Sequence, residues 1–335
     1  MPEKFISMST NKIKIGVVGG AGYTGGELLR LLVHHPYAEI SFVYSSTRAG
    51  KAVSETHQDL VGLLDIPFSA ELNPEIDVLF LCMGHGYSGA FLHENVVNDN
   101  TKIIDLSNDF RLAADRQFMG RSFIYGLPET NKGHIASAQA IANPGCFATA
   151  IQLALLPIAA AKKLQNEVHI NAITGSTGAG AVPSATSHFS WRNNNISYYK
   201  PFVHQHLGEI GETLTELQGN ETVLHFLPIR GNFTRGIFAT AYTNFDRSLE
   251  DAYALYESFY KDSPFTTVCK TTLSLKQVVN TNRCLLHLHM HEGKLLITSV
   301  IDNLLKGASG QAVENMNLMF GLEQTTGLHL KSISF

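Results

Sequence analysis

The sequence predicts an α/β protein in two parts: a doubly wound parallel sheet, then a mixed, largely antiparallel α+β domain. Three observations carry this expectation. Short apolar strands alternate with helical segments from Lys12 to about residue 145. From Val168 onward the candidate strands are longer and often adjacent. At about 150 residues per domain, a chain of 335 residues holds two.

The first strand is the apolar run Ile13, Ile15, Val17 and Val18, ending in glycines as a buried parallel strand does. Tyr23 to His34 follows with Leu28, Leu29, Leu31 and Leu32 at helical spacing. Further strands are expected at Glu39 to Ser45, Asp77 to Cys82 and Lys102 to Leu106. Helical connections of this length imply right-handed crossovers. In the second half, strands are expected at Val168–Thr174, Val223–Phe226, Gly236–Phe245, Arg283–His291 and Lys294–Ile301, with a hairpin turn at Glu292-Gly293. Leu249 to Tyr260 reads as a helix with Ala252, Leu255, Tyr256 and Phe259 on one face. Gly310 to Phe320 reads as a helix that returns to the first part. The expected domains are therefore 12–146 with 308–335, and 147–307.

Composition narrows the function classes. Lys+Arg 25 against Asp+Glu 29 argues against a nucleic-acid binder that works by neutralising phosphates. The longest apolar runs, such as Ala150 to Ala161, fall short of the roughly 20 residues that cross a bilayer. Residues 1–11 are polar and carry no secretory pattern, and Met8 would serve equally as a start. Four irregularly spaced cysteines form no disulfide framework, and a cytoplasmic location is expected.

Gly19, Gly22 and Gly25 stand between the first strand and the first helix, with Tyr23 and Thr24 opening that helix. A tight turn, a close backbone approach and free N–H groups at a helix N-terminus are what a pyrophosphate needs, so this is a dinucleotide site. An NAD-selective site places an acidic residue at the end of the second strand. Here Ser45, Ser46, Thr47 and Arg48 stand there, and hydroxyls with a guanidinium suit a 2′-phosphate, so the cofactor expected is NADP(H).

Cys146 follows Asn143-Pro144-Gly145 and opens an apolar helical run. With Asn143 as N-cap and Pro144 as the first helical residue, the thiol sits in the first turn, where helix N–H groups lower its pKa. That is ground for covalent catalysis. Cys82, Cys269 and Cys284 lie in or beside apolar strands and read as core. Proton-transfer partners are His204 and His206, with Glu209 orienting one of them. The choice between the histidines stays open, with His206 preferred. His287, His289 and His291 share a strand face, but no acid or thiol accompanies them, and no metal is expected.

Several ordered motifs then point the same way: Gly19 to Leu28, Asp105-Leu106-Ser107-Asn108-Asp109-Phe110-Arg111, Tyr125-Gly126-Leu127-Pro128-Glu129, Asn143 to Thr149, Gly175 to Gly180, His204 to Ile210, and Asp302 to Ala312. From about Lys12 to Leu322 the chain resembles the N-acyl-γ-glutamyl-phosphate reductases of arginine biosynthesis, which belong with the aspartate-semialdehyde-dehydrogenase-like enzymes. The resemblance implies a Rossmann domain and an oligomerisation domain, in a homodimer or homotetramer. It implies NADPH-dependent reduction of an acyl phosphate to an aldehyde and phosphate, through a Cys146 thioester and a histidine acid–base. It places Ser176, Gly178 and Asn303 by the cofactor, and Arg111, Asn143, Ser176, Lys200 and Arg235 by the substrate; Arg230 also lies in or beside a matched segment. Backbone amides of Ser176 to Gly180 are expected to bind acyl or phosphate oxygens.

Two segments depart from the family pattern: Phe147-Ala148-Thr149 replaces aromatic-Pro-Thr, and Gly175 to Ala181 replaces a shorter Ser-Gly-Ala-Gly-Arg. The second leaves an acetyl or a succinyl substituent open. Competing readings are an aspartyl-phosphate reductase and a non-catalytic NADP sensor. Arg48→Ala is expected to weaken NADPH binding more than NADH binding in a fluorescence titration; equal losses would remove the 2′-phosphate role.

Overall fold

The computed structural model describes residues 12–333. The expectations for residues 1–11, and for the last two residues of the 308–335 segment, lie outside them. The first sheet is built from β1 (Ile13–Val18), β2 (Ala38–Tyr44), β3 (Phe68–Ser69), β4 (Val78–Leu81), β5 (Lys102–Asp105), β6 (Gln117–Phe118), β7 (Arg121–Tyr125) and β8 (Ala140–Ala142). Between them run α1 (Tyr23–Leu32), α2 (Val53–Thr56), α3 (Ser88–Glu94) and α4 (Pro128–Ser137). The order is β3-β2-β1-β4-β5-β8-β7-β6, parallel throughout except for the β6/β7 hairpin. The order reverses between β1 and β4, and the crevice that a doubly wound sheet offers a ligand opens there. β3, β6, β7 and β8 are additions to the expected strands. Ala140-Ile141-Ala142 is too short to show a strand pattern, and it is held as one only by pairing with β5 and β7.

The second half starts with α5 (Cys146–Ala160), followed by β9 (Gln165–Thr174), α6 (Phe189–Arg192), β10 (Ser197–Tyr198), α7 (His206–Gln218), β11 (Val223–Arg230) and β12 (Ile237–Asn244). It continues with α8 (Leu249–Tyr260), β13 (Thr266–Cys269), β14 (Cys284–His291) and β15 (Lys294–Ile301). The sheet order is β10-β11-β9-β12-β15-β14-β13, with β9/β11 and β13/β14 parallel and the other pairs antiparallel. Glu292 and Gly293 turn β14 into β15 with positive φ at both positions (44° and 71°), the geometry of a tight two-residue hairpin. β11 runs to Arg230, four residues beyond its expected end, because it pairs with β9 along its whole length.

α5 is apolar all round because it is enclosed: the second sheet, α7 and α8 pack about it in one core. α8 buries Ala252, Tyr253, Tyr256 and Tyr260, a face rotated from the expected one, with Leu255 and Phe259 only half-buried. Its tyrosine hydroxyls decide this. Pro157 has no N–H to give the carbonyl of Leu153, and the Tyr260 hydroxyl donates to that carbonyl instead. Tyr256 donates to Ala154 O and Tyr253 to Leu288 O.

After β15 a π-helical turn (Leu305–Ser309) leads into α9 (Gly310–Met319), whose Ala312, Val313 and Met316 join the core under β1 and β4. Buried charges bind this return path. Lys306 Nζ lies 2.9 Å from both Glu129 Oε1 and Glu314 Oε2. Arg235 reaches from the loop before β12 to Glu27 on α1 (2.6 and 3.0 Å) and to Asp302 (3.1 and 3.2 Å). Among the described residues no helix is long and apolar enough to cross a membrane. Arg235→Ala leaves the fully buried Asp302 carboxylate without its cation and is expected to cost about 3 kcal/mol in urea unfolding. A loss below about 1 kcal/mol would show that water screens the pair.

Candidate active site

The glycine loop lies at the C-terminal end of β1. Gly19 has φ +76°, and a Cβ there would stand 2.8 Å from the backbone of Cys82. A Cβ on Gly25 would meet the Gly20 backbone at 2.6 Å, so both positions require glycine. Gly22 caps α1 with no side-chain hydrogen bond, and a Cβ there would touch nothing nearer than 3.8 Å. The loop therefore presents uncapped helix N–H groups to open space, which fits a pyrophosphate. Ser45 is buried at the end of β2, while Thr47 and Arg48 are exposed beside it, with Arg48 donating to Thr56 Oγ1 at 3.1 Å. Sequence reasoning missed His57, whose Nε2 lies 2.6 Å from Gly20 O and whose ring abuts Gly26. No spacing signals it.

Cys146 is the first residue of α5. Its cap is Gly145 (φ −70°, ψ 151°) rather than Asn143, and the helix starts two residues later than expected from Pro144. Asn143 instead ties three distant segments together. Its side-chain amide donates to Ala308 O, its side-chain oxygen accepts from Asn315, and its carbonyl accepts from Arg111 Nε at 2.8 Å. The side chain is thus engaged by the protein and is not displayed to a substrate.

Glu209, in the first turn of α7, organises the site. Oε1 accepts from Arg111 Nη1 at 3.1 Å; Oε2 accepts from the Tyr125 hydroxyl at 2.6 Å and from the Gly145 amide at 3.1 Å. Gln152 donates in turn to the Tyr125 oxygen at 2.7 Å. His206 Nε2 stands 4.0 Å from Glu209 Oε1, beyond a hydrogen bond, so the carboxylate fixes Arg111 and the Cys146 loop more tightly than it fixes the histidine. Tyr125 and Gln152 had no assigned role in the sequence, although Tyr125 lies in a recognisable motif. A Cβ on Gly145 would run into His206 Nε2, and one on Gly307 would stand 2.8 Å from Cys146 Cβ. These two contacts press the α7 start and the π-helical turn against the thiol.

His204 and His206 are both buried, with ring centroids 4.6 Å apart. His204 is walled by Phe147, Tyr199 and Phe226, and its Nδ1 accepts from the His206 amide. His206 Nδ1 is buried without a protein partner. Burial, then the Arg111 charge, holds His206 well below its ordinary value; burial, then Lys200, brings His204 down to about 4. Both rings are neutral at neutral pH.

The thiol corrects an expectation. Arg111 and the amides at the start of α5 do favour the thiolate, but burial outweighs them and pushes Cys146 up to about 11. Burial likewise keeps Cys284 protonated, up to about 12, and raises Cys82; Cys269 is half-buried, and all four cysteines are free.

The predicted cations divide. Arg235 is bonded to Glu27 and Asp302 and so clamps the loop before β12 to α1 and to the chain after β15. Arg111 is buried, with Nε, Nη1 and Nη2 each donating within the protein. Lys200 is exposed and donates to Gln205, and Arg230 lies over the Tyr199 ring at 4.6 Å with its Nε unpartnered. Asn303 accepts from the Gly236 amide and donates to Thr177, which ties it to the glycine-rich loop. In that loop the amides of Ser176, Thr177, Gly178 and Gly180 bond to backbone carbonyls, so they are not the oxygen-binding donors expected. Ser176 is half-buried and Gly178 exposed.

A dinucleotide loop in one sheet and a helix-terminal thiol opening the next domain define the class, and comparison with known proteins gives its family. Residues 14–138 match the family model described as semialdehyde dehydrogenase, NAD binding domain, and residues 146–303 match semialdehyde dehydrogenase, dimerisation domain. Among solved structures, aspartate semialdehyde dehydrogenase II from Vibrio cholerae superposes with a TM-score of 0.69 at 14% identity, over 93% of this chain and 99% of that one. Aspartate semialdehyde dehydrogenase with NADP from Candida albicans gives 0.69 at 15%, over 92% and 98%. At these identities the likeness is one of fold.

Sequence relatives go further. The chain is 60% identical over 324 residues to the N-acetyl-gamma-glutamyl-phosphate reductase of Flavobacterium johnsoniae, covering 96% of this chain and 100% of the relative. It is 58% identical over 321 residues to the protein of that name from Christiangramia forsetii, covering 96% and 99%. The chain belongs to the N-acetyl-γ-glutamyl-phosphate reductase family of semialdehyde dehydrogenases.

The position of the thiol yields a measurable pH dependence. Only the thiolate is alkylated, and a group raised to about 11 gains thiolate by about tenfold per pH unit through the neutral range. Inactivation by iodoacetamide should therefore accelerate steadily from pH 6 to about 9; a plateau below pH 8 would reveal a thiolate already formed.

Proposed function

We propose that this protein reduces N-acetyl-γ-glutamyl phosphate with NADPH to N-acetylglutamate 5-semialdehyde and inorganic phosphate, as the names of its relatives suggest. The observation that supports the chemistry is Cys146 at the start of α5, framed by Gly145 against His206 and Gly307 against the thiol's own Cβ. His206 is neutral and buried, with one ring nitrogen unpartnered, as a base must be before it accepts a proton. It takes the proton from Cys146 Sγ as sulfur attacks the γ-carbonyl carbon. The C–O bond to phosphate breaks, phosphate leaves, and the acyl group stays on Sγ as a thioester.

NADPH, when bound along Gly19 to Gly25 with its 2′-phosphate near Thr47 and Arg48, supplies the hydride for the reduction. His206, now protonated, gives its proton to the substrate oxygen on which charge develops. Its removal of that proton again releases the aldehyde as the C–S bond breaks, and Sγ recovers a proton. His204 supports the His206 backbone through its Nδ1.

Lys200 and Arg230 are the cations proposed to face the substrate's phosphate and carboxylate, with Arg111 acting through Glu209. The domains are read as 12–146 with 308–335, and 147–307, because α9 shares the first sheet's core. The enzyme is read as a homodimer or homotetramer of the cytoplasm, assembled through the second sheet.

The reverse reaction tests the assignment. With phosphate present, N-acetylglutamate semialdehyde should reduce NADP faster than the N-succinyl analogue does. Turnover of aspartate semialdehyde with neither N-acylglutamate semialdehyde active would reject it. Cys146→Ser should abolish turnover and leave NADPH binding nearly unchanged, whereas a substantial residual rate would exclude the thioester.

A further inference from the structure

The short helix after β2 stands beside the dinucleotide loop, and two neighbouring residues at its end hold two separate parts of that site. α2 is itself fixed by the first sheet. Val53 and Leu60 are buried in the core that β1 and α1 share. The Val53 amide donates to Ile66 O, and the Phe68 amide of β3 donates to Lys51 O. Thr56 and His57 are therefore carried on a rigid support.

His57 reaches the glycine loop. Its Nε2 lies 2.6 Å from Gly20 O, and since a carbonyl can only accept, Nε2 carries the proton. The Gly20–Ala21 peptide is trans, so its carbonyl and its N–H point in opposite directions. Fixing Gly20 O thus turns the Ala21 N–H away from the imidazole, and among the described residues that N–H donates to no backbone carbonyl. The ring also lies against α1. A Cβ on Gly26 would stand 2.5 Å from His57 Nδ1, so glycine at this position is what lets the imidazole come close.

Thr56 reaches the other part. Its Oγ1 accepts from Arg48 Nη1 at 3.1 Å, while the Arg48 side chain is otherwise exposed. Ordering a long side chain when a ligand arrives costs entropy, and a hydrogen bond made beforehand reduces that cost.

We propose that His57 and Thr56 are positioning residues for the dinucleotide, with separate duties. His57 orients the Gly20–Ala21 peptide so that its N–H is offered to the pyrophosphate, which NADPH and NADH share. Thr56 holds the Arg48 guanidinium ready for the 2′-phosphate, which NADPH alone carries. The inference rests on the reading that Gly19 to Gly25 and Arg48 receive the cofactor. One short helix end then sets both the affinity for a dinucleotide and the preference between the two.

The test titrates NADPH and NADH into the full chain and its variants by fluorescence, with melting temperatures without cofactor confirming that each variant is folded. His57→Ala should weaken both dinucleotides by about tenfold and leave the ratio of their Kd values unchanged. His57→Gln, whose amide can still donate to Gly20 O, should recover most of that loss. Gly26→Ala keeps the imidazole but displaces it, and should weaken both dinucleotides as His57→Ala does. Thr56→Val should weaken NADPH by about threefold and leave NADH unchanged. Failure of the unaltered chain to bind NADPH would reject the cofactor reading itself. Normal binding there, with both Kd values unmoved in His57→Ala and Gly26→Ala, would overturn the role of His57 alone. A His57→Ala loss confined to NADPH would do the same. Equal losses of NADPH and NADH in Thr56→Val, or none, would overturn the role of Thr56.

Discussion

The active site depends on one carboxylate. Glu209 is almost wholly buried and holds Arg111 from the first domain, the Tyr125 hydroxyl from β7 and the amide that caps α5. A buried carboxylate is stable only when its oxygens are satisfied, and here the three donors come from three separate stretches of chain. Their convergence brings the end of the first sheet, the start of α5 and the start of α7 to one point. The place of Cys146 beside His206 is thus a consequence of satisfying Glu209. The glycine at 145 follows from the same constraint, because any Cβ would occupy the space held by the imidazole and the carboxylate.

That arrangement shapes the chemistry before any substrate arrives. The helix terminus and Arg111 favour a thiolate, while burial and the Glu209 charge oppose it, and burial is the larger effect. The resting pair is therefore a thiol and a neutral imidazole. In the proposed reaction such a pair gives up its proton only as the sulfur meets an electrophilic carbonyl. The same burial that raises the thiol lowers His206, so the two groups shift in opposite senses from one cause.

What the sequence disclosed follows from the range of each interaction. The glycine loop, the strands of both sheets and the position of Cys146 at a helix start are local patterns, and local patterns survive in one dimension. The N-cap shifted from Asn143 to Gly145 because Asn143 is held by Arg111, Ala308 and Asn315, partners far along the chain. Arg235 and Arg111 looked like substrate ligands because a lone arginine carries no sign of its partner, and the partners Glu27, Asp302 and Glu209 are 208, 67 and 98 residues away. Tyr125 stood in a visible motif, but its role required knowing that Glu209 lies beneath it. β8 has three residues and exists through its neighbours alone.

The charges near the cleft sort by whether the fold already satisfies them. Arg235 is clamped between α1 and the loop after β15, and Lys306 between α4 and α9. Both fasten the segment that carries Gly307 to the wall of the thiol. Arg111 is bound to Glu209 and two carbonyls. A cation with carboxylate partners at hydrogen-bond distance presents little net charge to a newcomer, so these three shape the cleft and hold it rigid. Lys200 has only a neutral amide as its described partner, and Arg230 has an aromatic face and an unpartnered Nε. Charge left uncompensated by the protein is what a dianionic phosphate can use, and on that ground Lys200 and Arg230, on β11 and the chain leading into α7, are the cations proposed to attract the substrate.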